Sequence, residues 1–176
     1  QAGLIASELI ARGAASRLLV LCPAGLREQW QTELATRFHL PTALVDMARI
    51  RRTQAELPPG VNPWALEPMA IASLDYVKRA EVLLPVSSIP WDIVIVDEAH
   101  HAASRSDRHA AVASLCEAAS HVVLLTATPH NGSTEAYAAL CGLGAHGDEL
   151  LIFRRTRHEL GIDRVRRVHR FSVRPN

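Results

Sequence analysis

Asp97-Glu98-Ala99-His100 closes an apolar run, Ile93 to Val96, and Thr126-Ala127-Thr128-Pro129 closes a second, Val122 to Leu125. Two adjacent carboxylates at the end of a buried strand are how nucleotide hydrolases hold magnesium and activate a water. The strand fixes the first carboxylate, Asp97, at a set distance from the phosphates, where it holds Mg2+ through water. The second, Glu98, is then placed to act as general base. A four-residue string recurs by chance and is weak alone; a second hydroxyl-bearing strand end about thirty residues later makes the pair specific.

The complementary half of such a site is not in these 176 residues. A phosphate cradle needs glycines for close backbone approach and a lysine for charge. No G-x-x-x-x-G-K-[ST] occurs, and the single lysine, Lys78, has no glycine near it. Without that cradle the triphosphate charge is uncompensated, so the chain by itself is expected not to hydrolyse ATP.

The elements that must carry these residues can be read from periodicity. Helices are predicted over 2–12, 25–37, 74–83, 107–119 and 133–141, with Leu26, Trp30 and Leu34 at helical spacing in the second. Apolar runs at 18–21, 42–45, 69–72, 93–96 and 122–125 predict strands, and the prolines and glycine from Pro58 to Pro68 mark a loop. Strands that are continuously apolar and alternate with helices predict α/β architecture, a parallel sheet with helices on both faces. Ligands in such folds bind at the carboxyl ends of the strands, where both motifs lie. The tail from Arg154 to Pro175 is basic and ends in a predicted strand at 170–173.

Composition adds bounds. The length suits one domain with a real core, and 48% hydrophobic with 21% charged residues is a globular balance. Net charge is +1, so global charge says nothing of a nucleic-acid partner. Eighteen of the 19 basic residues are arginine, clustered at 49–52 and 154–174. Cys22, Cys116 and Cys141 form no C-x-x-C pair, which favours a reducing, cytoplasmic setting over a disulfide framework. No apolar stretch approaches the ~20 residues of a membrane span, and no charged signal-peptide region opens the chain. The chain begins without methionine and reads as cut from something longer.

Leu21-Cys22-Pro23-Ala24-Gly25-Leu26-Arg27-Glu28-Gln29-Trp30 resembles motif Ia of the Swi/Snf-related helicase-like ATPases of helicase superfamily two. Ser73 to Arg79 is similar to their motif Ib, Asp97 to His100 to motif II, and Leu125 to Gly132 to motif III in its bacterial RapA-like form. Phe153-Arg154-Arg155-Thr156-Arg157 is similar to the arginine-rich signature that closes the first RecA-like domain of that family. The resemblance implies a RecA-like fold of the P-loop type lacking the phosphate-loop strand. It places residues 1–152 in the first ATP-binding domain and 153–176 in a linker toward a second RecA-like domain bearing an arginine finger. Gln1 would follow the phosphate loop's threonine by about two residues.

The same resemblance assigns roles. ATP and Mg2+ would be the nucleotide and metal, with Asp97, Glu98 and His100 catalytic. Thr126 and Thr128 would couple hydrolysis to domain movement through His100, though capping alone also explains hydroxyls at a strand end. Pro23, Ala24, Leu26, Ser73 and Leu74 start helices whose free N–H groups would meet one DNA strand; Lys78 and Arg79 would either meet its backbone or form a solvated helix face. Without the resemblance, ordinary helix capping explains these starts equally well. Trp30 reads as core, His101 as a surface residue, and the basic tail as a linker. A metal centre built from Asp97, His100, His101 and His109 is disfavoured, because no second spaced histidine pair accompanies it.

The leading expectation is most of the first motor domain of a double-stranded DNA translocase or remodeller. RNA polymerase or a phage-defence complex are candidate partners, and no membrane is implied. Two alternatives stay open: a non-catalytic remnant acting as an interaction module, motivated by the missing phosphate loop, and a strand-separating DNA or RNA helicase.

Overall fold

The computed structural model describes residues 1–103, 106–127 and 134–144. Five apolar runs form one parallel sheet: β1 (Leu18–Cys22), β2 (Ala43–Val45), β3 (Met69–Ser73), β4 (Ile93–Val96) and β5 (His121–Leu124), in the order β2-β3-β1-β4-β5. Every residue of β1 and β4 is buried, because helices cover both faces, and this is why these strands are apolar without alternation. β5 has β4 as its described neighbour, and its residues are half-buried.

One face packs against α1 (Ala2–Ala11) and α2 (Arg27–Phe38), joining Leu18, Val20, Ile93 and Ile95 to Leu34, Trp30 and Phe38. The two helices meet closely at Gly3, where a Cβ would lie 2.5 Å from the Phe38 ring. The other face packs Leu19, Leu21, Val94 and Val96 under α3 (Met47–Glu56), α4 (Leu74–Val77), α5 (Ala80–Ser87), α6 (Asp107–Glu117) and α7 (Thr134–Cys141).

The α/β architecture is as expected, with three local differences. α3 was not anticipated: Asp46 caps it through Oδ1 and the Arg49 N–H, but only Met47 and Ile50 pack inward, too narrow a stripe to read as amphipathic. The helix predicted over 74–83 is two, because Arg79 is extended (ψ 134°) and breaks the run. β5 starts at His121, one residue before the predicted run, since His121 N–H already donates to Asp92 O at 2.8 Å. The tail and its predicted strand lie outside the described residues.

Topology places the motifs. From β1 the chain leaves through α2 toward β2; from β4 it leaves through α6 toward β5, on the other face and in the opposite direction. The β1/β4 boundary is therefore the point where the winding reverses, and the crevice outside the strand ends there is the expected ligand position.

Candidate active site

Asp97 and Glu98 follow β4 directly. Asp97 N–H donates to Leu21 O at 2.8 Å and Leu125 N–H to Val96 O at 2.9 Å, so the ends of β1, β4 and β5 stay in register past the last ladder pair. Glu98 takes a left-handed backbone (φ 49°, ψ 44°), which for a side chain of this size costs about 1 kcal/mol or more. A single 3-10 turn, Ala99–Ala102, follows, anchored by Ala99 N–H to Leu125 O at 2.8 Å. This sharp turn brings His100 beside the end of β5.

His100 Nδ1 lies 3.2 Å from Thr126 Oγ1 and 3.1 Å from Glu98 Oε2. The second approach lacks hydrogen-bond alignment, so Glu98 Oε2 is buried without a hydrogen-bond partner. The Glu98 side chain is only half-buried, and beyond the His100 approach its carboxylate keeps lone pairs with which to receive a proton from a water. Asp97 is better supplied: Oδ1 accepts from the Glu98 N–H at 2.9 Å and Oδ2 from Trp30 Nε1–H at 2.8 Å. Each oxygen keeps a lone pair for a further donor. An all-oxygen pair with that spare capacity fits hydrated magnesium, which retains several of its waters.

Four predicted residues, Asp97, Glu98, His100 and Thr126, thus converge although two strands supply them. Thr128 lies outside the described residues, as do 129–132 of the same motif. Trp30 is the residue that reading for core alone passes over. Its ring does pack with Leu34 and Phe38, yet its N–H reaches the first carboxylate. A buried indole N–H needs an acceptor, and this was the available signal.

The predicted DNA-facing residues form a second group on adjacent strand ends, since Cys22 pairs with Ser73. Pro23 precedes a single 3-10 turn, Ala24–Leu26, in which Ala24 is exposed. Ser73 is buried and its Oγ accepts the Tyr76 N–H at 3.2 Å as the cap of α4, while the Leu74 side chain is core. Lys78 Nζ pairs with Asp75 at 2.8 Å, and Arg108 pairs with the same oxygen; the two cations hold the Asp75 carboxyl below its ordinary range. In the arginine cluster, Arg49 is tied to Glu67 at 2.6 Å, whereas Arg51 and Arg52 are exposed. His101 is exposed, its ring tilted by 40° against that of His100 with centroids 4.1 Å apart, and His109 Nδ1 lies 2.7 Å from Ala102 O.

A family model described as SNF2-related domain matches residues 5–144. The chain belongs to the SNF2-related domain family. It is accordingly a Snf2-type, helicase-like ATPase domain. Among solved structures it is similar to the Sulfolobus solfataricus SWI2/SNF2 ATPase core in complex with dsDNA, with 18% identity and a TM-score of 0.59, covering 76% of this chain and 26% of that one. This SNF2-related domain also matches the Pyrococcus furiosus Hef helicase domain at 18% identity over 80% of its length and 36% of the other's, with a TM-score of 0.41. It thus spans well under half of either chain. Among the described residues no helix is long and apolar enough to cross a membrane.

Proposed function

We propose that this domain supplies the magnesium-holding and water-activating side of a DNA-dependent ATPase, a Swi/Snf-type translocase or remodeller acting on double-stranded DNA. One observation carries the reading: Asp97, Glu98, His100 and Thr126 converge at the β4 and β5 ends, with His100 Nδ1 3.1 Å from Glu98 Oε2 and 3.2 Å from Thr126 Oγ1. Bound ATP and its magnesium would supply the labile anhydride and the charge that polarises it. Asp97, held by one donor on each oxygen, would hold the magnesium through its water. Glu98 takes the proton of the attacking water at Oε2. His100, between Glu98 and Thr126, links the state of the base to the end of β5, and Thr128 belongs to the same coupling segment.

Pro23, Ala24, Leu26, Ser73, Leu74 and Lys78 form the DNA-facing edge in this reading. The Ala24 and Ser73 ends lie side by side, and the Sulfolobus relative was solved on duplex DNA. A phosphate loop, a second RecA-like domain and its arginine finger would come from polypeptide outside this sequence. The RapA-like form of motif III makes RNA polymerase or a phage-defence complex candidate partners, and three free thiols fit the cytoplasm.

The test is ATP turnover by the full-length protein carrying this sequence, with and without duplex DNA, beside Glu98→Gln. Expected are stimulation by duplex and a loss of about 10²–10⁴-fold in the variant. The 176-residue chain alone should show no turnover. Full-length protein inactive under every condition would overturn the reading in favour of a non-catalytic interaction module, which the missing phosphate loop motivates. Displacement of one strand of a duplex would instead indicate a strand-separating helicase.

A further inference from the structure

We infer that Trp30 is a positioning residue for Asp97, an inference that rests on the ATPase reading above. The two residues are 67 positions apart and come from opposite sides of the winding reversal, Trp30 from the helix after β1 and Asp97 from the end of β4. Trp30 Nε1–H donates to Oδ2 at 2.8 Å while the Glu98 N–H holds Oδ1 at 2.9 Å. Two donors on two different oxygens fix both the rotamer and the plane of the carboxylate.

The donor is half-buried against the core. The indole packs into the core face shared with Leu34 and Phe38 and lines a cavity of about 280 Å³ with Gly3, Phe38 and Leu125. An indole N–H can only donate, so it cannot exchange roles with the carboxylate oxygen that accepts from it. Partners that orient a ligating carboxylate typically contribute 10–100-fold in metal affinity or activity. Trp30 stands in that relation to Asp97, the residue that would hold magnesium through water.

Two measurements on the full-length protein test this. In the first, ATPase is followed as magnesium is titrated, for wild type and Trp30→Phe, which keeps an aromatic ring and loses the N–H. The magnesium needed for half-maximal rate should rise about tenfold, with the KM for ATP at saturating magnesium unchanged. A residue that only fills the core would lower the rate by one factor at all magnesium concentrations, and that result, or no change, overturns the inference. Should Trp30→Phe not fold, benzothienylalanine at position 30 keeps the bicyclic shape without the N–H and should show the same shift. Its failure to fold would mark the N–H as structural and overturn the positioning role.

The second measurement needs neither nucleotide nor metal. With 5-fluorotryptophan incorporated, Asp97→Asn should move the Trp30 fluorine resonance and leave those of the buried Trp64 and Trp91 in place. An unmoved Trp30 resonance overturns the inference. An inactive wild-type protein overturns the ATPase reading and this inference with it, an outcome distinct from an active enzyme indifferent to Trp30.

Discussion

Asp92 stands at the opposite end of β4 from Asp97 and does different work with the same side chain. Its Oδ2 accepts from Ser16 N–H at 2.7 Å, Arg17 N–H at 2.9 Å and Ser16 Oγ at 3.0 Å, tying the start of β1 to the start of β4. The Ser16 backbone N–H is the main cause that holds its carboxyl below the ordinary range. A carboxyl whose folded pKa is lowered adds stability above the unfolded value of ~3.9, and that gain disappears as pH falls through the folded value. Asp92→Asn should therefore cost about 1–2 kcal/mol in urea unfolding at pH 7, with the gap from wild type closing as pH falls through the lowered folded value. A gap independent of pH would show that charge plays no part. In sequence both aspartates flank the same apolar run, so chemistry could be assigned only through the neighbours of Asp97: Glu98 beside it, and Thr126 at the next strand end.

Elements decide how much of a motif is available for contact. In sequence, Ser73 is a helix start that either meets phosphate or caps. Its Oγ accepts the Tyr76 N–H, and α4 is a single turn before the break at Arg79. Ser73→Ala should lower stability by about 1 kcal/mol, whereas Ser73→Thr, which keeps the oxygen, should retain most of it in thermal or urea unfolding. Equal losses would show that the cap oxygen is not what stabilises this turn. β1 and β4 were legible almost to the residue because burial on both faces leaves no polar position inside them. α3 was not, since its stability comes from Asp46 at its cap and two inward residues instead of a full apolar stripe. Nor was the proline-rich loop's anchoring: Arg17 donates to Trp64 O, Ala65 O and Glu67 O, contacts with no local sequence signal.

At the scale of the whole molecule, the two faces of the sheet form separate cores, each containing one buried thiol: Cys22 under α1 and α2, Cys116 on the α6 side. Burial pushes both thiols up to about 12, with the Asp97 charge adding to it at Cys22. Neither is a thiolate at pH 8, so iodoacetamide should modify the half-buried Cys141 first. As denaturant is raised, Cys22 and Cys116 should become reactive in one shared transition, because β1 and β4 belong to both cores. Labelling of one thiol at lower denaturant than the other, read by mass spectrometry, would show that the faces open independently.

Sequence by itself determined the class of fold and the places where chemistry sits. Unbroken apolar runs have to be strands covered on both faces, and polar motifs directly after them have to lie at their carboxyl ends. These are local consequences of period and burial. Tertiary structure alone decided which ends adjoin. Strand order follows from the direction each crossover takes, and no window of residues encodes that direction. With β1 beside β4, Trp30 reaches Asp97; with β4 beside β5, Thr126 reaches His100. Both pairs hold because the sheet winds away from the β1/β4 boundary in opposite directions.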